Sequence, residues 1–519
     1  MSKPIDSIDE IKPNSQPDAL GKEAGKGISW LTLSLASGRG FSFIAQLILG
    51  YLLLDEDFGV FALAMSVASF IQCFRDGGVQ KVLVQQGKTN YERLKGPAFW
   101  IGFWFSTTAG LGLVGAAPWA ARFYAEPELT KLLWVVAVSL PMSMPAKMLT
   151  AKLQIDLQFK TIAKISVASM FLRHASVILF AYLGLRALSF VLPLLLVATF
   201  EGIAGFLATR SIPWKSGHQL RLWPELLGNS LWETINAFLR GFANNGDYLV
   251  LGTLINKGTL GQYFFGYQLT VQMHTLLVVG FNQVLFPILT RLQDEPERMA
   301  QALVRSLRAF VLASCALSIP IAVGIAPLEE LVWRGKWEPA VPLMQIFAIL
   351  VPLRGVSGIV HSAVAARGQF RLAASITAIQ GAILMLSAGL SYLFFGASIT
   401  KIALGVSIVQ IVLSNTLAMA VLRSYGVSLS AVPLAVAPSF FAGFTAAVPS
   451  FLLDLRLSES IAPWLRLSIA LTCYVLTFVI ITRVFMRQHL REVLDIAPAR
   501  LAQPIRSLLK LGNPNRVDG

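Results

Sequence analysis

Arg39-Gly40-Phe41-Ser42-Phe43-Ile44-Ala45-Gln46-Leu47-Ile48-Leu49-Gly50-Tyr51-Leu52 sets an arginine inside an apolar stretch long enough to cross a bilayer. The tripeptide that opens it returns at Arg240-Gly241-Phe242, inside a second such stretch. The surroundings repeat as well. Leu49-Gly50-Tyr51-Leu52 is echoed by Leu251-Gly252-Thr253-Leu254, Gly59-Val60-Phe61 by Gly261-Gln262-Tyr263, and Val82-Leu83 by Val284-Leu285. The register differs by 201 residues at the tripeptide (39 to 240) and by 202 thereafter (49 to 251), so one inserted residue reconciles the copies. The chain therefore consists of two related halves, each carrying an intramembrane arginine.

With 519 residues, 55% hydrophobic and only 14% charged, and a mean hydropathy of +0.64, the chain is too apolar for a soluble protein of this size. It reads as an all-α polytopic membrane protein, because a helix satisfies its own backbone groups in lipid. Windows of about 20 apolar residues mark about fourteen candidate spans, starting near residues 28, 56, 97, 129, 161, 187, 226, 260, 304, 340, 372, 401, 433 and 463. The first 27 residues are polar and include Pro4, Pro13 and Pro17, so no cleaved signal peptide is expected. Cys73, Cys315 and Cys473 fall in apolar segments without paired spacing. They read as small hydrophobes rather than metal ligands or disulfides.

The net charge of +15 would suggest a nucleic-acid partner if the bases formed one soluble patch. They are instead sorted by position. About thirty of the 43 Lys and Arg residues lie in the N-terminal tail and in every second connection, and only Arg39, Arg173, Arg240 and Arg354 fall inside spans. By the positive-inside rule both termini are cytoplasmic. Asp55-Glu56-Asp57 and Glu329-Glu330 are then outer, and nucleic-acid binding drops out. Arg39 lies in span 1 and Arg240 in span 7, six crossings apart, so the halves are parallel repeats about an axis along the membrane normal. The expected organisation is a polar tail (1–27), two six-helix lobes (28–221 and 222–425) around a central cavity, two peripheral spans (426–485) and a basic tail (486–519). Within that tail, residues 487–510 alternate bases with apolar residues, as a segment lying on an anionic leaflet would. Gly38, Gly40, Pro141, Pro145, Pro193, Pro320, Pro327 and Pro352 are candidate points of helix weakening.

An arginine at mid-bilayer costs about 3 kcal/mol on insertion scales, so each must meet a partner, a cavity or water. Arg39 and Arg240 lie too deep to snorkel, and paired guanidinium groups suit a phosphate or pyrophosphate. The alternative is an ion pair between helices, with Glu233 or Asp247 as the partner of Arg240. Arg354, Arg173 and His274 are further candidate substrate contacts, with His174 and His361 close in sequence to two of them. The intramembrane carboxylates Asp247, Glu233 and Glu201 are candidates for proton or cation coupling. Asp247 stands out because Asn244 and Asn245 precede it. No nucleophile triad, metal-ligand spacing or phosphate-cradling glycine loop occurs, so neither enzyme activity nor a cofactor or metal is expected. The outer connections are short, which speaks against a membrane glycosyltransferase or polymerase.

The run from Gly38 to Gln86, ending in Arg75-Asp76-Gly77-Gly78-Val79-Gln80-Lys81-Val82-Leu83-Val84-Gln85-Gln86, resembles the start of bacterial polysaccharide flippases of the Wzx type. So does Asp247-Tyr248-Leu249-Val250-Leu251-Gly252 followed by Leu260-Gly261-Gln262-Tyr263. These belong to the superfamily of multidrug, oligosaccharidyl-lipid and polysaccharide exporters, and the resemblance covers roughly residues 25–425. It implies a V-shaped cationic cavity, alternating access and residence in the bacterial inner membrane. The implied substrate is an oligosaccharide linked through pyrophosphate to undecaprenol, moved to the periplasmic leaflet for exopolysaccharide, capsule or O-antigen synthesis. Membrane lipids, a polysaccharide polymerase and export machinery are the implied partners. A cation-coupled multidrug exporter of the same superfamily is the nearest rival, although such a cavity should be acidic. Tyr263, Phe264, Phe265 and Tyr267 could stack on sugars or simply pack. In one departure from symmetry, Lys257-Gly258-Thr259 stands where the first half carries its acidic turn.

Overall fold

The computed structural model describes residues 38–72, 78–457, 461–487 and 489–491. The expected tails at 1–27 and beyond 491, and Cys73, lie outside them. Fifteen helices make up the described residues: α1 (38–52), α2 (Asp55–Gln72), α3 (Val79–Phe123), α4 (Glu128–Met142), α5 (Met144–Ile155), α6 (Phe159–Tyr182), α7 (Leu192–Thr209), α8 (Trp223–Leu254), α9 (Lys257–Arg291), α10 (Pro296–Val332), α11 (Val341–Ala366), α12 (Phe370–Phe395), α13 (Ile399–Arg423), α14 (Ala431–Leu457) and α15 (Pro463–Phe485). Among the described residues, nine helices are long and apolar enough to cross a membrane, or ten if α4 and α5 form one span bent by 42°. The protein is an all-α polytopic membrane protein. Polar side chains lie on four of the helices: Arg39 on α1, three acids opening α2, Asp247 on α8, and Gln268 and Gln272 on α9.

The bend between α4 and α5 has a local cause. Pro141 sits in the last turn of α4 and Pro145 in the first turn of α5. Each removes a backbone donor, and Ser143 between them returns its hydroxyl to the Leu140 carbonyl at 2.7 Å. At Gly40 the expected weakening is absent, since α1 runs helically through it. Gly38 instead permits contact: a Cβ there would lie 2.0 Å from Met170 Sδ on α6.

α2 packs against α9 and α8, α8 against α12, α9 against α11, and α14 and α15 against α10. Arg466 on α15 ties this last pair to α10, pairing with Asp454 of α14 at 3.0 Å and with Glu330 of α10 at 2.6 Å. The two repeats meet closely where their related sequences coincide. A Cβ on Gly59 would lie 1.9 Å from the Lys257 carbonyl oxygen, and one on Gly261 would lie 1.7 Å from that of Asp55. Positions 59 and 261 correspond in the repeat, as do 55 and 257. The contact is therefore a symmetric crossing of α2 and α9, made possible by two glycines that let backbones touch.

Candidate functional site

Two cavities flank α8, and its consecutive Asn244 and Asn245 divide between them, as the helical step of about 100° per residue requires. The first measures about 420 Å³ and is walled by α1, α2, α6, α8 and α9. Arg39 enters from α1 and Arg173 with His174 from α6, facing Gln46, Asn245, Gln268 and Gln272. Arg39 Nη1 donates to Gln272 Oε1 at 3.0 Å, a bond across 233 residues that joins the first repeat to the second. Gln46 Nε2 is buried here with no hydrogen-bond partner. None of the residues lining this cavity is acidic. The groups on offer are mainly donors: two guanidinium groups and an unmet amide nitrogen.

The second cavity, about 280 Å³, lies among α8, α9, α11, α12 and α13. Arg354 lies over the Tyr267 ring, 5.4 Å from its centroid. His274 is buried beside it, its Nδ1 3.4 Å from Ser314 Oγ and its ring edge-on to Phe310. Gln380, Gln410, Ser357 and Ser414 complete a polar wall, again with no acidic lining residue. His361 is turned to structural use, with Nδ1 donating to the Ser357 carbonyl at 2.8 Å and Nε2 3.3 Å from Thr377 Oγ1.

Arg240 lines neither cavity. Its side chain is exposed, and the turn that carries it packs on the end of α2, with Phe242 against Phe70 at 4.3 Å and the Gly241 Cβ position 3.3 Å from the Ser69 carbonyl oxygen. The duplicated arginines are thus not brought into one cavity; Arg39 meets Arg173 instead. Asp247 is buried away from the amides that precede it in sequence. Its Oδ2 accepts from Tyr263 Oη at 3.0 Å and its Oδ1 from the Tyr248 amide at 3.0 Å. Glu201, half-buried on α7, acts electrostatically on Arg173. The Glu233 side chain lies outside the described residues. In the aromatic stripe, Tyr263 and Phe265 are fully buried packing residues. Phe264 lines the first cavity and Tyr267 the second.

Beyond the cavities, at the end bearing Asp55, the repeats are fastened together. Lys257 Nζ pairs with Glu56 at 3.5 Å and Glu126 at 3.3 Å, and Gln262 Nε2 donates to Asp55 at 3.2 Å. The departure at Lys257-Gly258-Thr259 is therefore a complement to the acidic turn it faces. Lys336 donates to the carbonyls of Gly50, Tyr51 and Leu53 at 3.0, 3.1 and 2.6 Å, capping α1 from the other half of the chain. Burial pulls its ammonium below the ordinary lysine range, against the opposing charges of Asp55 and Asp57. Trp333 and Trp337 add indole bonds to the Leu47 and Gly50 carbonyls at 2.9 and 2.8 Å. Nothing in the periodicity of the sequence marks Lys336 or these tryptophans. The one available signal was a basic residue amid aromatics in a short connection.

Residues 48–342 match the sequence profile of a family described as polysaccharide biosynthesis protein. The chain is similar to teichuronic acid biosynthesis protein TuaB of Bacillus subtilis (strain 168), 21% identical over 68% of this chain and 74% of that one. It is also similar to succinoglycan biosynthesis transport protein ExoT of Rhizobium meliloti (strain 1021), 23% identical over 64% of this chain and 67% of that one. Among solved structures, that of the lipid II flippase MurJ in its inward closed conformation superposes with a TM-score of 0.69. It is 11% identical, and the match covers 88% of this chain and 98% of that one. At that identity the likeness speaks for the fold.

Proposed function

We propose, from the premise that this chain belongs to the polysaccharide biosynthesis protein family, that it is a flippase. Its cargo is an oligosaccharide linked through pyrophosphate to undecaprenol, carried from the cytoplasmic to the periplasmic leaflet of the bacterial inner membrane. The observation that supports this best is the meeting of Arg39 and Arg173 in one cavity without an acidic lining residue. Pyrophosphate accepts hydrogen bonds and donates almost none at neutral pH. Two guanidinium groups and the unmet Gln46 amide nitrogen are its chemical complement. The glycan would fill the amide-lined space and the polyprenyl tail would remain in lipid.

The lobes would reorient about the α2–α9 crossing, closing the outer end when the headgroup is drawn in from the cytoplasm. Asp247 is the carboxylate proposed to couple this motion to a proton or sodium ion, because it is buried within the protein with Tyr263 and Tyr248 as donors. A multidrug exporter for organic cations fits less well, since both cavities are cationic where a cation would need carboxylates. Purification from native membranes followed by mass spectrometry of bound lipid tests the reading. A polyprenyl-pyrophosphate glycan is expected with the wild type and is expected to be depleted about tenfold or more in Arg39→Gln/Arg173→Gln, a loss of about 1.4 kcal/mol or more. Full glycan export by that double variant, with no such lipid on the wild type, would sink it.

A further inference from the structure

In the second cavity Arg354 has no carboxylate at ion-pair distance, the buried Asp247 acting on it only through space, and Gln410 has an acceptor without a donor; together they describe a ligand. Among the described residues no carboxylate lies within 4.0 Å of Arg354; its contact is the Tyr267 ring. A guanidinium left in the membrane interior calls for an anion. Gln410, only 9% exposed, lines the same cavity, and its Oε1 is buried with no donor. Pyrophosphate would answer Arg354 and leave Gln410 unmet, because it has no proton to give at neutral pH. The ligand must supply an anionic oxygen to Arg354 and a hydroxyl hydrogen to Gln410. It must also be compact and hydrophilic enough for a wall made of Asn244, Gln380, Ser357 and Ser414.

We infer that this cavity is the subsite for an acidic sugar of the cargo, a carboxylated pyranose whose carboxylate pairs with Arg354 and whose ring hydroxyl donates to Gln410. The inference rests on the flippase reading and deepens it. The two cavities lie on opposite faces of α8, and in this proposal one cargo reaches both, with its pyrophosphate at Arg39 and Arg173 and its acidic sugar at Arg354. Arg354 is then a specificity residue. It distinguishes a uronic-acid glycan from a neutral one, while the first cavity recognises the pyrophosphate that every such carrier shares.

The test uses the full chain in lipid nanodiscs and three synthetic probes. These are undecaprenyl pyrophosphate, the same lipid bearing a disaccharide that ends in glucuronic acid, and its counterpart with the carboxylate reduced to a neutral alcohol. The acidic probe is expected to bind the wild type about tenfold tighter or more than the neutral one, the usual scale of a charge-assisted pair. Arg354→Gln is expected to bring that ratio to about one, whereas Arg39→Gln weakens both glycolipids alike and preserves it. Equal binding of acidic and neutral probes by the wild type overturns the inference, a comparison that needs no variant to fold. So does an Arg354→Gln variant that weakens both probes by the same factor, which would place the pyrophosphate in this cavity. Wild-type protein that binds none of the three probes removes the flippase reading itself, and this inference with it.

Discussion

Arg39, Arg173 and Arg240 share a residue type and a deep position in the sequence, yet the structure gives them different surroundings, and their substitutions should separate. Arg39 and Arg173 line one cavity. Replacing either with glutamine removes a charge-assisted interaction, commonly worth about 1.5–3 kcal/mol, and is expected to lower affinity for undecaprenyl pyrophosphate by about tenfold or more. Arg240→Gln should cost less affinity than either, because Arg240 lines neither cavity; equal losses at all three positions would contradict the partition. Asp247 makes a separate case. If it carries the coupling ion, transport by the wild type in proteoliposomes should accelerate under an imposed proton or sodium gradient, and Asp247→Asn should transport at a rate no gradient changes. A wild type indifferent to both gradients would remove Asp247 from that role. Single-residue chemistry was only partly legible in the sequence. A buried arginine announces a cavity or a partner by its cost alone, but which arginines share a cavity depends on helix rotation. At 100° per residue, a small error in phase exchanges lining for packing.

At the scale of the helix, the repeat explains both what the sequence made visible and what it hid. Hydropathy located the helices, since an apolar run in lipid has few alternatives. The same measure marks spans near residues 28, 56, 226 and 260, where α1, α2, α8 and α9 lie, but not which of their polar residues share a cavity. The prolines at 141 and 145 marked the α4–α5 bend, and the glycines at 59 and 261 were visible only as a repeated pattern. Their role emerges from the crossing of α2 and α9. A methyl group at position 261 would lie 1.7 Å from the Asp55 carbonyl oxygen, and backbone cannot yield as a flexible side chain can. Gly261→Ala is therefore expected to part the two helices at this end. With a cysteine at Phe58, which is fully buried, labelling by a membrane-impermeant maleimide should rise severalfold in the Gly261→Ala background. Unchanged protection would mean that the crossing relaxes locally. Glu329 supports the same end from the other side. Its Oε1 accepts from the Trp337 amide at 2.9 Å and its Oε2 from the Gly335 amide at 3.2 Å, fixing a turn in which Arg334 and Gly335 both take positive φ. That carboxylate positions Lys336 and Trp337 against α1.

Among the described residues, several fastenings between the repeats gather at the end bearing Asp55, and they are of different kinds. The glycine crossing brings backbones together, the Lys257 pairs are partly exposed, and Lys336 caps α1 from the opposite half. Ion pairs with solvent access are worth little each, about 0–1 kcal/mol. Such a set can close an end without locking it, which a carrier that must reopen requires. Covalent capture tests this. Lys257 Nζ lies 3.5 Å from Glu56 and 3.3 Å from Glu126, within reach of a zero-length carbodiimide coupling. Treated protein should yield isopeptide-linked peptides joining position 257 to 56 or 126, and the linked fraction should no longer move cargo. Lys257→Met should lose the linkage and keep its transport through the treatment. If linked protein transports as fast as unlinked, the end bearing Asp55 does not open during the cycle. The acidic turn of the first half and the lysine of the second would then serve to hold the lobes together permanently, and the asymmetry between the two repeats would be structural rather than mechanical.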